Sequence, residues 1–443
     1  MSEAPCAMSL WHSSQFAYGS SKGWLAIGDA FMIFIRDTSV NHRLRRMSTF
    51  KWVITASMLC LFAVPVLRAE ASNPSPPPAS EDPHLPLAPY HEGVLMLSGD
   101  PARSVTLEVT LLTPYGPGPF PLAVMNHGAT NASAHNRGER YRLSLSAFYF
   151  LSRGYAVALP MMRGFADSGG TLVGAGCDLT LDAELNGRDI RAVIEAISEQ
   201  PNIDPTQIIV AGQSFGAWNT LGLGMAPPAG VRGLVSFNAT MRTNACRNQD
   251  HSMIISAGKL GASTKIPSLW FYGDNDTLMP VAVWQEVFNQ YNSSGGHAEL
   301  VDVGPFRDDS HQLLSHSEGI PLWVPKIDAF LARIGMPSAP LYPDFLPSTA
   351  PSATHWAELA DATAIPFVTF KGLAAYRVFL GAHGTRAFAI ASNGSFGVAG
   401  GGYDPIGRAL HGCAEHAADC RLYAVNDDIV WSAPPRAAQG KNP

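Results

Sequence analysis

Between residues 90 and 335, short apolar runs alternate with longer stretches of helical period. Residues 105–112 alternate apolar and polar positions, as an outer strand does. Residues 121–125, 155–159, 207–211, 231–237, 269–272 and 298–303 are mostly continuous apolar runs, which suits strands covered on both faces. Between them, Leu185, Ile190, Val193, Ile194 and Ile197 share one helical face that stops before Pro201. Val324, Ile327, Leu331 and Ile334 share another, with Gly335 placed to cap it. Repeated strand–helix alternation predicts an α/β unit with a mostly parallel central sheet and helices on both faces.

The tail has a different rhythm. Residues 388–391, 396–399 and 422–425 are short strand candidates, Asn393-Gly394 is a tight-turn signal, and 406–417 has the makings of one helix. A small C-terminal α+β module over 352–443 is expected. Pro-rich stretches at 72–89 (a tether) and 336–351 (a linker) set off the α/β unit at 90–335. Ahead of the tether, Lys51, an apolar run over 52–66 and the A-x-A pattern of Ala69 and Ala71 describe a signal peptide over 47–71. The run is shorter than a membrane span, so no stable membrane anchor is expected after cleavage. Residues 1–46 are a doubtful N-terminal extension, with Met47 the expected start. The mature protein is then periplasmic or secreted.

Composition narrows the classes. Of 443 residues, 46% are hydrophobic and 15% charged, enough for a substantial core. The net charge of −6 and the absence of a basic stripe exclude a nucleic-acid partner. Signal cleavage removes Cys6 and Cys60 and leaves Cys177, Cys246, Cys413 and Cys420. In an oxidising compartment these allow two disulfides, in three connectivities. Cys413 and Cys420 share the small module. Cys177 and Cys246 sit in loops leaving the carboxyl ends of strands, so 177–246 and 413–420 are the expected pairs. His411, Cys413, His416 and Cys420 match no familiar zinc spacing, and no metal or other cofactor is expected.

The chemistry centres on Gly212-Gln213-Ser214-Phe215-Gly216, which follows a buried strand and opens a helix. Such a turn is too tight for side chains two residues either side of the serine, hence Gly212 and Gly216. It holds the hydroxyl clear of the sheet at a helix N-terminus. A serine hydroxyl needs a base, and the base needs an acid. Downstream, Asp276 follows the strand at 269–272, with Asp274 as competitor. His311 follows the next strand, with His316 as fallback; His297 precedes its strand and faces the wrong end. Acyl transfer also needs oxyanion donors. The Phe215 N–H is one. The loop Asn126-His127-Gly128-Ala129 offers the Ala129 N–H as the other, with Gly128 allowing close approach.

These motifs together resemble the α/β-hydrolase superfamily over about residues 92–335, nearest the dienelactone hydrolase-like and prolyl oligopeptidase-like group. His127-Gly128, the segment from Arg163 to Gly170, the Ser214 elbow, the 273–280 acid loop and His311 carry the resemblance. It implies that 163–170 helps shape the site. Dienelactone hydrolases proper use cysteine at the elbow; serine here points away from a dienelactone and towards esters or peptides. The expected function is therefore a serine hydrolase acting on a small-molecule ester through a Ser214–Asp276–His311 triad. A serine peptidase of the oligopeptidase type and a non-catalytic binding protein are the alternatives. Residues 241–265 are the only insertion able to act as a lid, and a short one, so a fairly open pocket is expected. The sequence leaves the oligomeric state open.

Overall fold

The structure, a computed structural model, describes residues 89–129, 140–172, 174–243, 246–382 and 385–432. The signal peptide, the doubtful extension and all of the first tether but Pro89 lie outside the described residues. The larger α/β unit runs β1 (His91–Ser98), β2 (Thr106–Thr113), β3 (Phe120–Asn126), α1 (Ser144–Ser152), β4 (Ala156–Pro160), α2 (Leu179–Ser198), β5 (Ile203–Gln213), α3 (Phe215–Leu223), β6 (Val231–Phe237), α4 (Gln249–Ser263), β7 (Ser268–Tyr272), α5 (Val281–Ser293), β8 (Ala298–Asp302) and α6 (Ile320–Arg333). Its strands order as β1-β2-β4-β3-β5-β6-β7-β8. Strand β2 is antiparallel to β1 and β4; from β4 to β8 every pair is parallel.

The continuous apolar runs follow from this layering. Leu122, Val124, Ile208, Val210, Trp270 and Tyr272 pack on the face covered by α2, α3, α4 and α5. Their neighbours Ala123, Met125, Ile209, Ala211, Leu269 and Phe271 pack on the face covered by α1 and α6. With both faces dry, each large aliphatic or aromatic side chain contributes about 1.5–3 kcal/mol by its burial. Polar alternation therefore has no place there. Strand β1 was not expected from the sequence. It is an edge strand with Val94 and Met96 about half exposed, so burial leaves no alternation to read.

Three helical expectations need correction. Leu185 is only half-buried, and the buried face of α2 begins instead with Leu179, Asp182, Ala183 and Asn186. The residues expected as a lid, 241–265, are largely α4. Met253, Ala257 and Leu260 are sunk in the core, and a Cβ on Gly261 would lie 2.0 Å from the Tyr291 carbonyl oxygen of α5. A helix embedded so closely is part of the scaffold. The third correction falls in the tail, where the helix expected over 406–417 ends at Ala414.

That tail contains α7 (Phe370–Gly381), β9 (Arg386–Ile390), β10 (Phe396–Gly400), α8 (Pro405–Ala414), β11 (Arg421–Val425) and β12 (Asp428–Ile429). Its antiparallel sheet orders as β10-β9-β11-β12. Tyr376 and Phe379 of α7 pack with Phe388, Ile390 and Tyr423, while Ile406, Ala409 and Cys413 of α8 pack with Ala387, Ala389 and Val425. The turn at Asn393-Gly394 joins β9 to β10; Gly394 has φ +83° and donates its N–H to the Ala391 carbonyl. Both expected disulfides are present, Cys177–Cys246 and Cys413–Cys420.

The Pro-rich stretch between the two sheets is seated on its surroundings. Tyr155 Oη donates to the Pro337 carbonyl at 2.7 Å, and the Leu341 and Tyr342 N–H groups both donate to the Ser152 carbonyl. Phe345, buried, joins an aromatic group with Tyr90, Phe148 and Tyr403, whose hydroxyl donates to the Phe345 carbonyl.

Candidate active site

Strand β5 ends at Gln213, and the chain turns through Ser214 straight into α3. Ser214 has φ +57° and ψ −123°, a conformation L-residues rarely adopt. The flanking glycines make it attainable. A Cβ on Gly212 would stand 2.4 Å from the Gly216 carbonyl oxygen, and one on Gly216 would stand 2.3 Å from that of Asn126.

The three chemistry-bearing residues converge here from three strand ends. His311 Nε2 lies 3.0 Å from Ser214 Oγ. His311 Nδ1 lies 3.1 and 3.0 Å from the two Asp276 oxygens. A carboxylate only accepts, so Nδ1 carries the proton and Nε2 presents its lone pair to the serine hydroxyl. Asp276 is in turn fixed. Its Oδ1 accepts from the Leu278 and Met279 N–H groups at 2.8 and 3.0 Å, and its Oδ2 accepts from Asn238 Nδ2 at 2.9 Å. All three residues are buried or nearly so.

The competing candidates are elsewhere. Asp274 is exposed and uses only its backbone N–H, on the Gly304 carbonyl. His316 is half-buried beside Phe306, and His297 is exposed at the amino end of β8. Asn238, in a left-handed conformation (φ +49°) at the end of β6, is a site residue that sequence reasoning missed. No motif surrounds it; only its position after a buried strand could have drawn attention.

The loop after β3 is organised by His127, which is fully buried. Its Nε2 accepts from the Met162 N–H at 3.0 Å, so Nδ1 carries the proton and donates to the Gly128 carbonyl at 2.7 Å. Burial, only partly offset by that carbonyl, lowers its pKa to about 4, and the ring is neutral at ordinary pH. The ring stacks on Tyr141 at 4.4 Å and meets the edge of Phe165. In a trans peptide the C=O and N–H point opposite ways. Tying the Gly128 carbonyl back to His127 therefore turns the Ala129 N–H the other way. Glycine at 128 allows a close approach to the elbow, since a Cβ there would lie 2.7 Å from Oε1 at the movable end of Gln213 and 3.1 Å from Ser214 Cβ.

Ser214, Phe215, Ala129, His311 and Arg242 line one cavity of about 440 Å³. A larger concavity of about 890 Å³, between the Pro-rich stretch and α8, contains none of these residues. The 163–170 segment does not itself line the Ser214 cavity and meets the site only through the residues behind it. Arg163 is instead buried against Asp189 of α2 at 2.6 and 2.8 Å, and Phe165 supports His127 from behind. Among the described residues no group of side chains has the makings of a metal site. The sulfurs of Cys413 and Cys420 are taken up in their disulfide.

A profile of the family described as X-Pro dipeptidyl-peptidase (S15 family) matches residues 103–253, a span containing Ser214 but neither Asp276 nor His311. No curated protein sequence matches. Among solved structures, an esterase of Pyrococcus furiosus is similar at 17% identity, covering 55% of this chain and 90% of that one, with a TM-score of 0.41. An acylaminoacyl peptidase of Pyrococcus horikoshii shares 13% identity over 56% of this chain and 42% of its own, with a TM-score of 0.43. Dipeptidyl peptidase 4 of Porphyromonas gingivalis shares 18% over 56% and 35%, with a TM-score of 0.42.

Proposed function

We propose that this α/β-hydrolase is an exported carboxylic-ester hydrolase working through an acyl-enzyme on Ser214. The observation that carries the reading is the 3.0 Å approach of His311 Nε2 to Ser214 Oγ, with Nδ1 held by Asp276. As Oγ bonds to the substrate carbonyl carbon, its proton passes to Nε2. Asp276 holds the tautomer and stabilises the imidazolium that forms. The Phe215 N–H at the start of α3 and the Ala129 N–H across the cavity receive the developing oxyanion. The imidazolium then protonates the departing alkoxide, and water repeats the sequence in reverse to free the acid. Export is supported by two disulfides, which persist in oxidising compartments, together with the signal-like pattern at 47–71.

The test is hydrolysis of aryl esters of graded acyl length beside peptide amides, with fluorophosphonate labelling. Wild type should cleave esters and carry the label on Ser214. Ser214→Ala should keep the fold, lose the label and lose turnover by roughly 10⁶-fold. Label on another serine overturns the assignment. A second reading, a serine peptidase, is favoured by the family description matched over 103–253; it replaces the first if the labelled enzyme cleaves amides and no ester.

A further inference from the structure

Asp276 and His311 stand on loops that leave different strands, β7 and β8. The relay works only if the two loops are held in fixed register, since a displacement near 1 Å costs roughly 100-fold in rate. Two side chains span the gap. Asn275 donates from Nδ2 to the Arg307 carbonyl at 2.8 Å and accepts from the Phe306 N–H at 2.9 Å. Asp309 reaches closer to the chemistry. Its Oδ1 accepts from the His311 N–H at 3.0 Å and from the Thr277 N–H at 3.1 Å, and its Oδ2 accepts from the Thr277 hydroxyl at 2.8 Å. One carboxylate thus grips the backbone of the base and both polar groups of the residue next to the acid. The Asp276–His311 side-chain bond closes the circuit.

We infer that Asp309 is a positioning residue of this hydrolase, which locks the acid loop to the histidine loop and so holds His311 Nε2 on the Ser214 hydroxyl. The inference rests on the reading that Ser214 and His311 do the chemistry. Burial opposes ionisation of Asp309, but the hydrogen bonds from the Thr277 and His311 N–H groups and from the Thr277 hydroxyl outweigh it. The carboxyl sits below the ordinary carboxylate range. The bonds it accepts are therefore charge-assisted, the stronger class. Asp309 also lines the Ser214 cavity, so its rival role is direct contact with substrate.

Steady-state kinetics on an aryl ester separates the two roles. In Asp309→Ala, kcat should fall roughly 10- to 100-fold while KM stays within about threefold. Asp309→Asn keeps an acceptor for both N–H groups and should stay within about fivefold of wild type. Asp309→Ser can still cap the His311 N–H but is too short to span to Thr277, so it should fall with alanine. If the alanine variant fails to fold, the asparagine–serine comparison carries the same test. A serine variant with wild-type kcat overturns the cross-loop brace. So does an alanine variant whose KM rises while kcat holds. Ser214→Ala is assayed alongside. If it still hydrolyses, the serine reading itself fails, whereas a dead Ser214→Ala beside a wild-type Asp309→Ser sinks only the role of Asp309.

Discussion

The two disulfides close loops of very different size, over separations of 69 residues for Cys177–Cys246 and 7 for Cys413–Cys420. Closing a loop of n residues removes about 2.1 + 1.5R ln n cal/mol/K from the unfolded chain. At 25 °C that is about 4 kcal/mol for the long loop and about 2.5 kcal/mol for the short one. Cys177→Ser with Cys246→Ser should therefore destabilise more than Cys413→Ser with Cys420→Ser. A serine at 246 is well tolerated locally, because Cys246 Sγ already lies 3.5 Å from Ser252 Oγ. The first pair also ties down the loop that carries Arg242 to the cavity wall. Its loss should raise KM several-fold and leave kcat nearly unchanged, since Ser214, Asp276 and His311 hang from other loops. Urea unfolding followed by fluorescence of the buried Trp218, Trp270, Trp284 and Trp323, with kinetics on the same samples, measures both effects. The reasoning is refuted if the short-loop variant is the less stable, or if the long-loop variant loses kcat at constant KM.

Gly216→Ala should depress turnover at least 100-fold, because its Cβ would meet backbone oxygens of Asn126 and His127 at 2.3 and 2.4 Å and neither can yield without moving the elbow; kcat and near-ultraviolet circular dichroism check this. His127 is buried neutral with its pKa lowered from 6.5 to about 4, so its contribution to stability is intact above about pH 6.5 and is lost as pH falls towards 4. The loss should reach roughly 3 kcal/mol and vanish in His127→Asn, as read from urea midpoints across that range. Phe345→Ala should destabilise the chain by about 3 kcal/mol through its seat against Tyr90 and Phe148, seen as a lowered Tm.

What the sequence disclosed and what it hid divide along physical lines. Strands β3 to β7 are wet on neither face, so their composition betrays them. Ser214 is legible because its turn forces glycines at fixed offsets, and Asp276 and His311 because they follow it in strand order. Strand β1 is hidden because its half-exposed Val94 and Met96 obey no burial pattern. Helix α4 passes for an insertion because only Met253 and Leu260 of its buried face are large; Ser256, Ala257, Gly258 and Gly261 allow close packing but carry little hydropathy. Asn238 and Asp309 are silent for another reason. Each acts on a residue more than 30 positions away or across a loop junction, and nothing local marks a contact that only the folded sheet creates.

The aromatic group of Tyr90, Phe148, Phe345 and Tyr403 has a bearing on the order in which the molecule is completed. Its four rings enter at the front of the catalytic unit, in α1, in the Pro-rich stretch and just before α8. A chain emerging from its amino end has Tyr90 and Phe148 in place long before their partners arrive. Until then this part of the surface presents bare aromatic faces, the kind of exposure that holdase chaperones recognise and that favours misassociation. Phe345 and Tyr403 thus act as a closing seam on segments synthesised well before them.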